Sequence, residues 1–314
     1  MIDKCFWTIG LLVLSIPIFS QSSQLLDVCS NRDSSSHTIV EVEDIFFERW
    51  DTLAQPLFWK KIMKLSPDSC IINIASTRKI LCYEAMDFWS SQKEEEKKLY
   101  KDSLRDWYCI DEQEKVYVTS GKRDFYLINK TMPSISKAVT IFDQQKVDPW
   151  FAQSILLIES PKKLEFSNAG AYGPFQLMKS VAIAQGLVVN KTVDERKDFV
   201  KSATAAASLL SSVCIPEAKR ILSELELNFN ENELWFKLFV LHIYHAGAGN
   251  VQGLLQQQKN PLKGKELIVW MWQNEYGNFK NASQNYTQVA IAALLSLQDE
   301  IYEHCDFIFD CEPF

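Results

Sequence analysis

The sequence predicts a mainly α-helical protein in two parts, and three observations carry that prediction. Apolar residues recur at helical spacing through most of the second half, as in Phe151, Ile155 and Ile158. A chain of 314 residues that is 47% hydrophobic and 23% charged can build ordinary cores for two domains. Extended segments are few: residues 115–119 and 123–128, separated by Ser120-Gly121-Lys122, read as one small β-hairpin. The formal net charge of −7 excludes a protein whose main business is coating nucleic acid.

Residues 1–20 read as a signal peptide. Lys4 is offset by Asp3, and the apolar run from Cys5 to Phe19 is about 15 residues, short of the roughly 20 that span a bilayer. Ser20 is small enough for the position before the cut, so cleavage is expected before Gln21. Ile18 is less suited to its own position, which leaves an uncleaved anchor as the alternative. No later stretch reads as a membrane span. Export removes Cys5 and leaves Cys29, Cys70, Cys82, Cys109, Cys214, Cys305 and Cys311. In an oxidising space several of these are expected in disulfides, and their odd number leaves at least one unpaired; the sequence does not give the connectivity. The close Cys pairs of a zinc site are missing.

Residues 21–37, rich in Ser, Gln and Asn, read as a flexible leader. Residues 40–108 read as helical, beginning with Ile45, Phe46, Arg49, Trp50 and Leu53. Ser66-Pro67 resembles an N-cap followed by Pro at the first helical position, and Cys70 and Cys82 bracket one helical stretch. Ser91 and Glu94 suggest a capping box for a helix over 92–108, with EEEKK on its solvated face. After the hairpin, residues 133–142 form another helix. Asp148-Pro149 opens a helix that Pro161 ends, placing Glu159 and Ser160 in its last turn. A further helix runs from near Pro174 to near Gly186. Phe199, Ala203, Ala206, Leu210 and Val213 share one helical face, and residues 234–246 are apolar on nearly all sides, as in a buried central helix. Ala282, Tyr286, Val289, Ala293 and Leu297 define the last long helix. The division is thus a helical N-terminal region (38–147), a second helical domain (148–302) and a Cys-containing tail (303–314).

Glu159 is the first candidate for chemistry. It follows Ile155-Leu156-Leu157-Ile158 at the C-terminal end of an apolar helix, where desolvation and the negative helix end both favour the protonated carboxyl. A carboxyl group kept protonated near neutral pH suits a general acid. Within twenty residues comes Ser167-Asn168-Ala169-Gly170-Ala171-Tyr172-Gly173-Pro174-Phe175-Gln176-Leu177-Met178, whose glycines suit a tight loop open to a ligand. Further on stand Tyr244-His245-Ala246-Gly247 and Asn285-Tyr286.

In this order the fragments resemble the soluble lytic transglycosylase domain, the lysozyme-like fold of glycoside hydrolase family 23, over residues 148–302. Glu159-Ser160 resembles the family's Glu-Ser pair. Ser167, Gly170-Ala171 and Gly173 match its glycine loop, and Gln176 and Met178 match the end of its Gly-Leu-Met-Gln-x-Met segment. Tyr244 with Ala246-Gly247 resembles Ala-Tyr-Asn-Ala-Gly, and Tyr286 its late tyrosine. Three departures stand out: Pro174-Phe175 replaces Leu and Met, His245 replaces Asn, and the stretch from Glu159 to Ser167 is about one residue shorter. The resemblance implies a peptidoglycan lytic transglycosylase without cofactor or metal, in which Glu159 is the single catalytic acid and base. Ser167, Gln176, Met178, Tyr244, His245 and Tyr286 would line the sugar site. It also implies glycan strands as the partner, a bacterial periplasm or envelope as the location, and an N-terminal region (38–147) available to an envelope protein. A muramidase hydrolysing the same bond, or a wall-binding scaffold of the same fold, is the alternative. His242 and His245 share a metal-compatible spacing but lack an accompanying acid. The sequons at Asn129, Asn190, Asn281 and Asn285 matter only in a glycosylating pathway. Lys162 and Lys163 read as a solvated loop pair.

Overall fold

In the computed structural model, which describes residues 23–159, 167 and 170–308, the two ends of the polypeptide meet. Strand β1 (Leu25–Ser30) turns back antiparallel into β2 (Ser36–Val40), and a strand from the far end of the chain adds to the other edge of β1. The expected leader is therefore ordered from Leu25 onward. Val28 is fully buried and Ile39 nearly so. The stabilising partner of β1 lies almost 280 residues away, a rough count that no local composition reflects.

Helix α1 (Asp44–Phe47), a 3₁₀ turn at Trp50–Thr52 and helix α2 (Ala54–Lys64) follow. Beyond them the helical expectation fails. Ser66 and Pro67 lie in a turn before β3 (Ser69–Ile74), and β4 (Ile80–Ala85) pairs with β3 antiparallel. Cys70 and Cys82 thus sit on adjacent strands, opposite Glu84 and Ile72, rather than on a helix. The β-branched run at Ile71, Ile72 and Ile74, buried in full or nearly so, explains the strand.

Helix α3 (Met86–Ser91) and helix α4 (Glu94–Tyr108) come next. The Glu96 carboxylate accepts from the Lys93 backbone N–H at 2.7 Å, so the helix start is two residues later than the Ser91–Glu94 box. Strand β5 (Val116–Ser120) then pairs with β3, completing a sheet in the order β4-β3-β5. The expected hairpin is absent: residues 123–127 form a turn, and helix α5 (Ile128–Gln144) begins where its second strand was expected.

The second half follows the predicted periodicity closely. Helix α6 (Pro149–Glu159) is capped as expected, with the Trp150 N–H donating to Asp148 Oδ1 at 2.9 Å. Ser160 and Pro161 lie outside the described residues. Pro174 sits in a turn, and helix α7 (Lys179–Ala184) starts later than expected, ending before Gly186 with its φ of +88°. Helix α8 (Phe199–Leu209) runs through a π-turn at Leu210–Cys214 into helix α9 (Ile215–Glu224). The wider turn rotates the face, so Cys214 is buried and Val213 is 39% exposed. By length and composition Phe199–Glu224 is apolar enough to cross a membrane, contrary to the sequence expectation; its apolar face packs on α5 and on the next helix, α10 (Leu234–Ala246). Helices α11 (Ala248–Leu255), α12 (Gly264–Gln273) and α13 (Asn281–His304) lead into β6 (Cys305–Ile308), which closes the first sheet in the order β2-β1-β6.

One apolar core runs from Val28 to Ile301 and joins both halves of the chain. Helix α13 is its axis, packing against α2, α5, α6, α10 and α12. A smaller core lies between the β4-β3-β5 sheet and helices α3 and α4, around Ile72, Leu81 and Trp89. The six described cysteines, Cys29, Cys70, Cys82, Cys109, Cys214 and Cys305, are all free thiols, so the expected disulfides are not found among them. Cys5 and Cys311 lie outside the described residues.

Leu294, fully buried on α13, tests the role of that helix. Leu294→Ala is expected to cost about 2–5 kcal/mol, whereas Leu99→Ala at an exposed site changes stability by less than about 0.5 kcal/mol. Urea unfolding of the two variants measures the difference.

Candidate active site

The site begins with helix α6, in which every residue before Glu159 is buried. Glu159 is the last residue of that helix and is only partly accessible. Desolvation pushes its carboxyl up to about 7, and the Tyr286 hydroxyl opposes part of that rise. The C-terminal end of the helix dipole acts in the same upward direction as burial. At neutral pH the group therefore exchanges protons readily, as a side chain that both donates and accepts must.

Three tyrosines close enough to feel the charge of Glu159 surround it: Tyr126, Tyr244 and Tyr286. Burial first, and the carboxylate second, push all three phenols upward, so they remain neutral donors. Tyr244, near the end of α10, donates to the Phe175 carbonyl at 2.6 Å. The buried Tyr286 hydroxyl makes no fully formed hydrogen bond among the described residues and is left to face the carboxyl. Tyr126 comes from the turn before α5, in the N-terminal region. Sequence reasoning missed it because residues 123–128 read as a strand; the adjacent aromatic pair Phe125-Tyr126 was the only signal.

The glycine loop forms the next wall. Ser167 braces its first turn: Ala171 N–H donates to Ser167 Oγ, and Ser167 N–H donates to the Ala171 carbonyl, both at 2.9 Å. Tyr172 and Leu177 pair across a tight hairpin, N–H to carbonyl in each direction, at 3.1 and 3.2 Å. Within it Gly173 has φ +85°, and a Cβ there would lie 2.0 Å from the Arg196 carbonyl oxygen, so only glycine fits. Gln176 is held at φ +46°, an uncommon conformation for a residue with a side chain, and its Nε2 donates to the Gly173 carbonyl at 3.0 Å.

Arg196, which sequence reasoning did not single out, locks this loop. Its guanidinium is 3% exposed and pairs with both oxygens of Asp194, at 2.9 and 2.7 Å. The remaining nitrogen donates to the carbonyls of Gly170 and Leu177 at 3.1 and 3.0 Å. A buried cation with a bidentate acid partner can thus pin two loop carbonyls without an uncompensated charge. The departure at Pro174-Phe175 also finds its explanation here. Phe175 is not a cleft wall but a core residue, fully buried against Phe142 and Phe199 at ring distances of 5.7 and 6.1 Å. Met178 is 42% exposed where α7 begins.

His245 stands at the exposed end of α10. Its Nδ1 lies 3.2 Å from Ser283 Oγ, and its ring packs on Tyr286 at 4.3 Å. Partial desolvation by these neighbours lowers its pKa, so the imidazole is neutral at pH 7 and orients Tyr286 without adding charge. His242, one turn earlier, is fully buried with Nε2 2.9 Å from Thr287 Oγ1, and burial holds its pKa down to about 3. The two histidines therefore serve different hydroxyls of α13. Among the described residues no group of three or more His, Cys, Asp or Glu side chains could hold a metal ion.

Residues 141–267 match the family model described as the transglycosylase SLT domain. Over these residues the chain is similar to that domain, whose fold is lysozyme-like and mainly helical. Comparison with curated proteins finds no match. The matched segment contains Glu159, the glycine loop, Arg196, Tyr244 and His245. Tyr126 precedes it and Tyr286 follows it, so two of the three tyrosines around Glu159 reach the SLT domain from outside the matched residues.

Two outcomes follow from this geometry. Gly173→Ala is expected to lose more than about 2 kcal/mol of stability, since both φ and space forbid the methyl group. The raised pKa of Glu159 penalises folding wherever the unfolded carboxyl ionises first. The penalty is absent below about pH 4, grows as pH rises from there, and levels off above about pH 7. Glu159→Gln should therefore be more stable than the parent by about 2–3 kcal/mol at pH 8 and nearly equal to it at pH 4, as denaturant midpoints at the two pH values would show.

Proposed function

We propose that this protein is an exported lytic transglycosylase that cleaves the β-1,4 bond between N-acetylmuramic acid and N-acetylglucosamine in peptidoglycan, with Glu159 as its only acid and base. The SLT domain supports action on peptidoglycan in general terms. The observation that carries the finer reading is the buried carboxyl of Glu159, poised to about 7 and, among the described residues, framed by neutral tyrosine hydroxyls rather than by a second acid. The causes of that shift are burial and the Tyr286 hydroxyl, and no second carboxylate is among them. Glu165, the nearest acid in sequence, lies outside the described residues.

In this mechanism the protonated Glu159 gives its proton to the glycosidic oxygen as the bond to muramic C1 breaks, and the acetamido group of the muramic residue supports the electron-deficient carbon. The resulting carboxylate then takes the proton from the sugar's own 6-hydroxyl, whose oxygen bonds to C1. The product is a 1,6-anhydro end, and Glu159 is protonated again for the next cycle. Tyr244 and Tyr286 supply neutral walls and hydroxyls, the Ser167–Gln176 loop presents backbone to the ring, and Met178 adds an exposed apolar edge. Export rests on the expected signal peptide at residues 1–20, with the periplasm or cell envelope of a bacterium as the proposed location.

Glu159→Gln should lower solubilisation of isolated cell walls by at least about a thousandfold while the protein stays folded. Mass spectrometry of the released muropeptides decides the reaction: anhydro ends support the transglycosylase, reducing ends a muramidase, and binding without release a scaffold. In Tyr286→Phe, loss of the hydroxyl that lowers the carboxyl's pKa moves the alkaline limb of the rate profile to higher pH. An unmoved or lowered limb would remove Tyr286 from that role.

A further inference from the structure

Arg78 is the least compensated charge in the described protein. It sits in the turn between β3 and β4, held at φ +58°, and is only 4% exposed. No carboxylate pairs with it among the described residues. Its guanidinium instead donates to three amide oxygens, Asn73 Oδ1 at 3.1 Å, Asn281 Oδ1 at 3.3 Å and Asn285 Oδ1 at 2.5 Å. Three aromatic faces surround it: Phe58, Trp59 and Tyr117 at 5.4, 5.5 and 5.6 Å. The Nε–H is left without a partner. Burial pulls the guanidinium down to about 10, yet it stays charged at neutral pH. A buried cation held only by neutral groups is costly unless something anionic joins it.

The surroundings supply room and further positive charge. Arg78 lines a cavity of about 550 Å³ between the β4-β3-β5 sheet, α4 and the start of α13. Lys97, Lys101 and Lys122 line the same cavity, and the single acid there among the described residues, Glu94, has a side chain 88% exposed and bound to Lys97. Lys97 and Lys101 rest over the Trp89 ring at 5.9 and 5.7 Å, so their ammonium groups are placed rather than free. Among the described residues neither Lys101 nor Lys122 forms an ion pair. Positive groups thus gather in one cavity of a protein whose net charge is −7.

We propose that this cavity is a second binding site, outside the matched SLT segment, which takes a carboxylate-bearing ligand. Three of the five guanidinium N–H groups are already committed to amides, which leaves an incomplete fork suited to a single-charged carboxylate better than to a phosphate. The site adjoins the proposed catalytic cleft along two stretches of chain. Asn285 precedes Tyr286 on α13, and the turn from Lys122 leads to Tyr126 by a backbone bond from the Tyr126 N–H to the Lys122 carbonyl at 3.1 Å. An acidic peptide hanging from a glycan strand is the source this placement favours, and a free small carboxylic acid is the other. Only the peptide source rests on the transglycosylase reading; the site itself does not. The sequon at Asn285 is correspondingly unsuited to carry a glycan, since its side chain is buried in this network.

The test titrates the full chain with an acidic stem tripeptide, the same peptide with its carboxyls amidated, citrate, and inorganic phosphate, read by the fluorescence of Trp59 and Trp89 and by calorimetry. The acidic peptide should bind at least tenfold more tightly than its amidated form and more tightly than phosphate. Lys101→Ala with Lys122→Ala, both on partly exposed side chains, should weaken it about tenfold, and Arg78→Gln should abolish it. Should Arg78→Gln fail to fold, the lysine pair still decides. Citrate binding as tightly as the peptide would support the site with a free acid as its source. Equal binding of the amidated peptide, tighter binding of phosphate, or indifference to the lysine pair would overturn the proposal. Glu159→Gln should bind the peptide as the parent does. Persistence of wall solubilisation in that variant would sink the catalytic reading while leaving the cavity result intact.

Discussion

The constraint on which the rest depends is a carboxyl group placed at the end of a helix that is buried along its whole length. Helix α6 cannot be moved to solvent without exposing ten buried residues, so Glu159 is delivered to the same point whatever its own electrostatic preference. The cost of desolvating it appears as a raised pKa, which is the property that general acid chemistry needs. Packing energy from the apolar helix thus offsets the cost of an unfavourable but useful group.

Helix α13 organises what surrounds that group. Its first turns hold Asn281 and Asn285 against Arg78, Ser283 against His245, and Tyr286 against Glu159. Directly after Tyr286, Thr287 accepts from Trp272 at 2.8 Å and meets His242, while Gln288 accepts from Trp59 at 3.1 Å. Near its other end Asp299 pairs with Lys60 and Lys64 of α2, at 2.9 and 2.7 Å. One rigid element therefore registers the N-terminal region, Glu159 and the Arg78 cavity against one another. A single core across both halves follows from this, and it makes the N-terminal region part of the site's construction through Tyr126.

The second half of the chain was legible because its signals are local. Helical periodicity around Ile155, the Asp148-Pro149 cap and the near-continuous apolar run at 234–246 are each decided within a few turns of helix. Glu159 could be singled out for the same reason, as could the glycines at 170 and 173. The misreadings fall where partners are distant. The β1 strand needs β6, and β5 needs β3 rather than its own neighbour, so composition at 21–37 and 115–128 pointed the wrong way. The π-turn at Leu210–Cys214 altered a face that spacing alone assigned to Val213.

By itself the sequence determined the helical class, the family resemblance, and the position of one carboxyl at the end of an apolar helix, because backbone periodicity and capping depend on near neighbours. Tertiary structure alone decided that Phe175 is core rather than cleft, and that Arg196 pins the glycine loop. It alone brought Tyr126 to Glu159, and left Arg78 a buried cation with no acid paired to it among the described residues. Each of those facts depends on groups that meet only after the chain has folded, and the cost of a buried charge is set by what surrounds it in space.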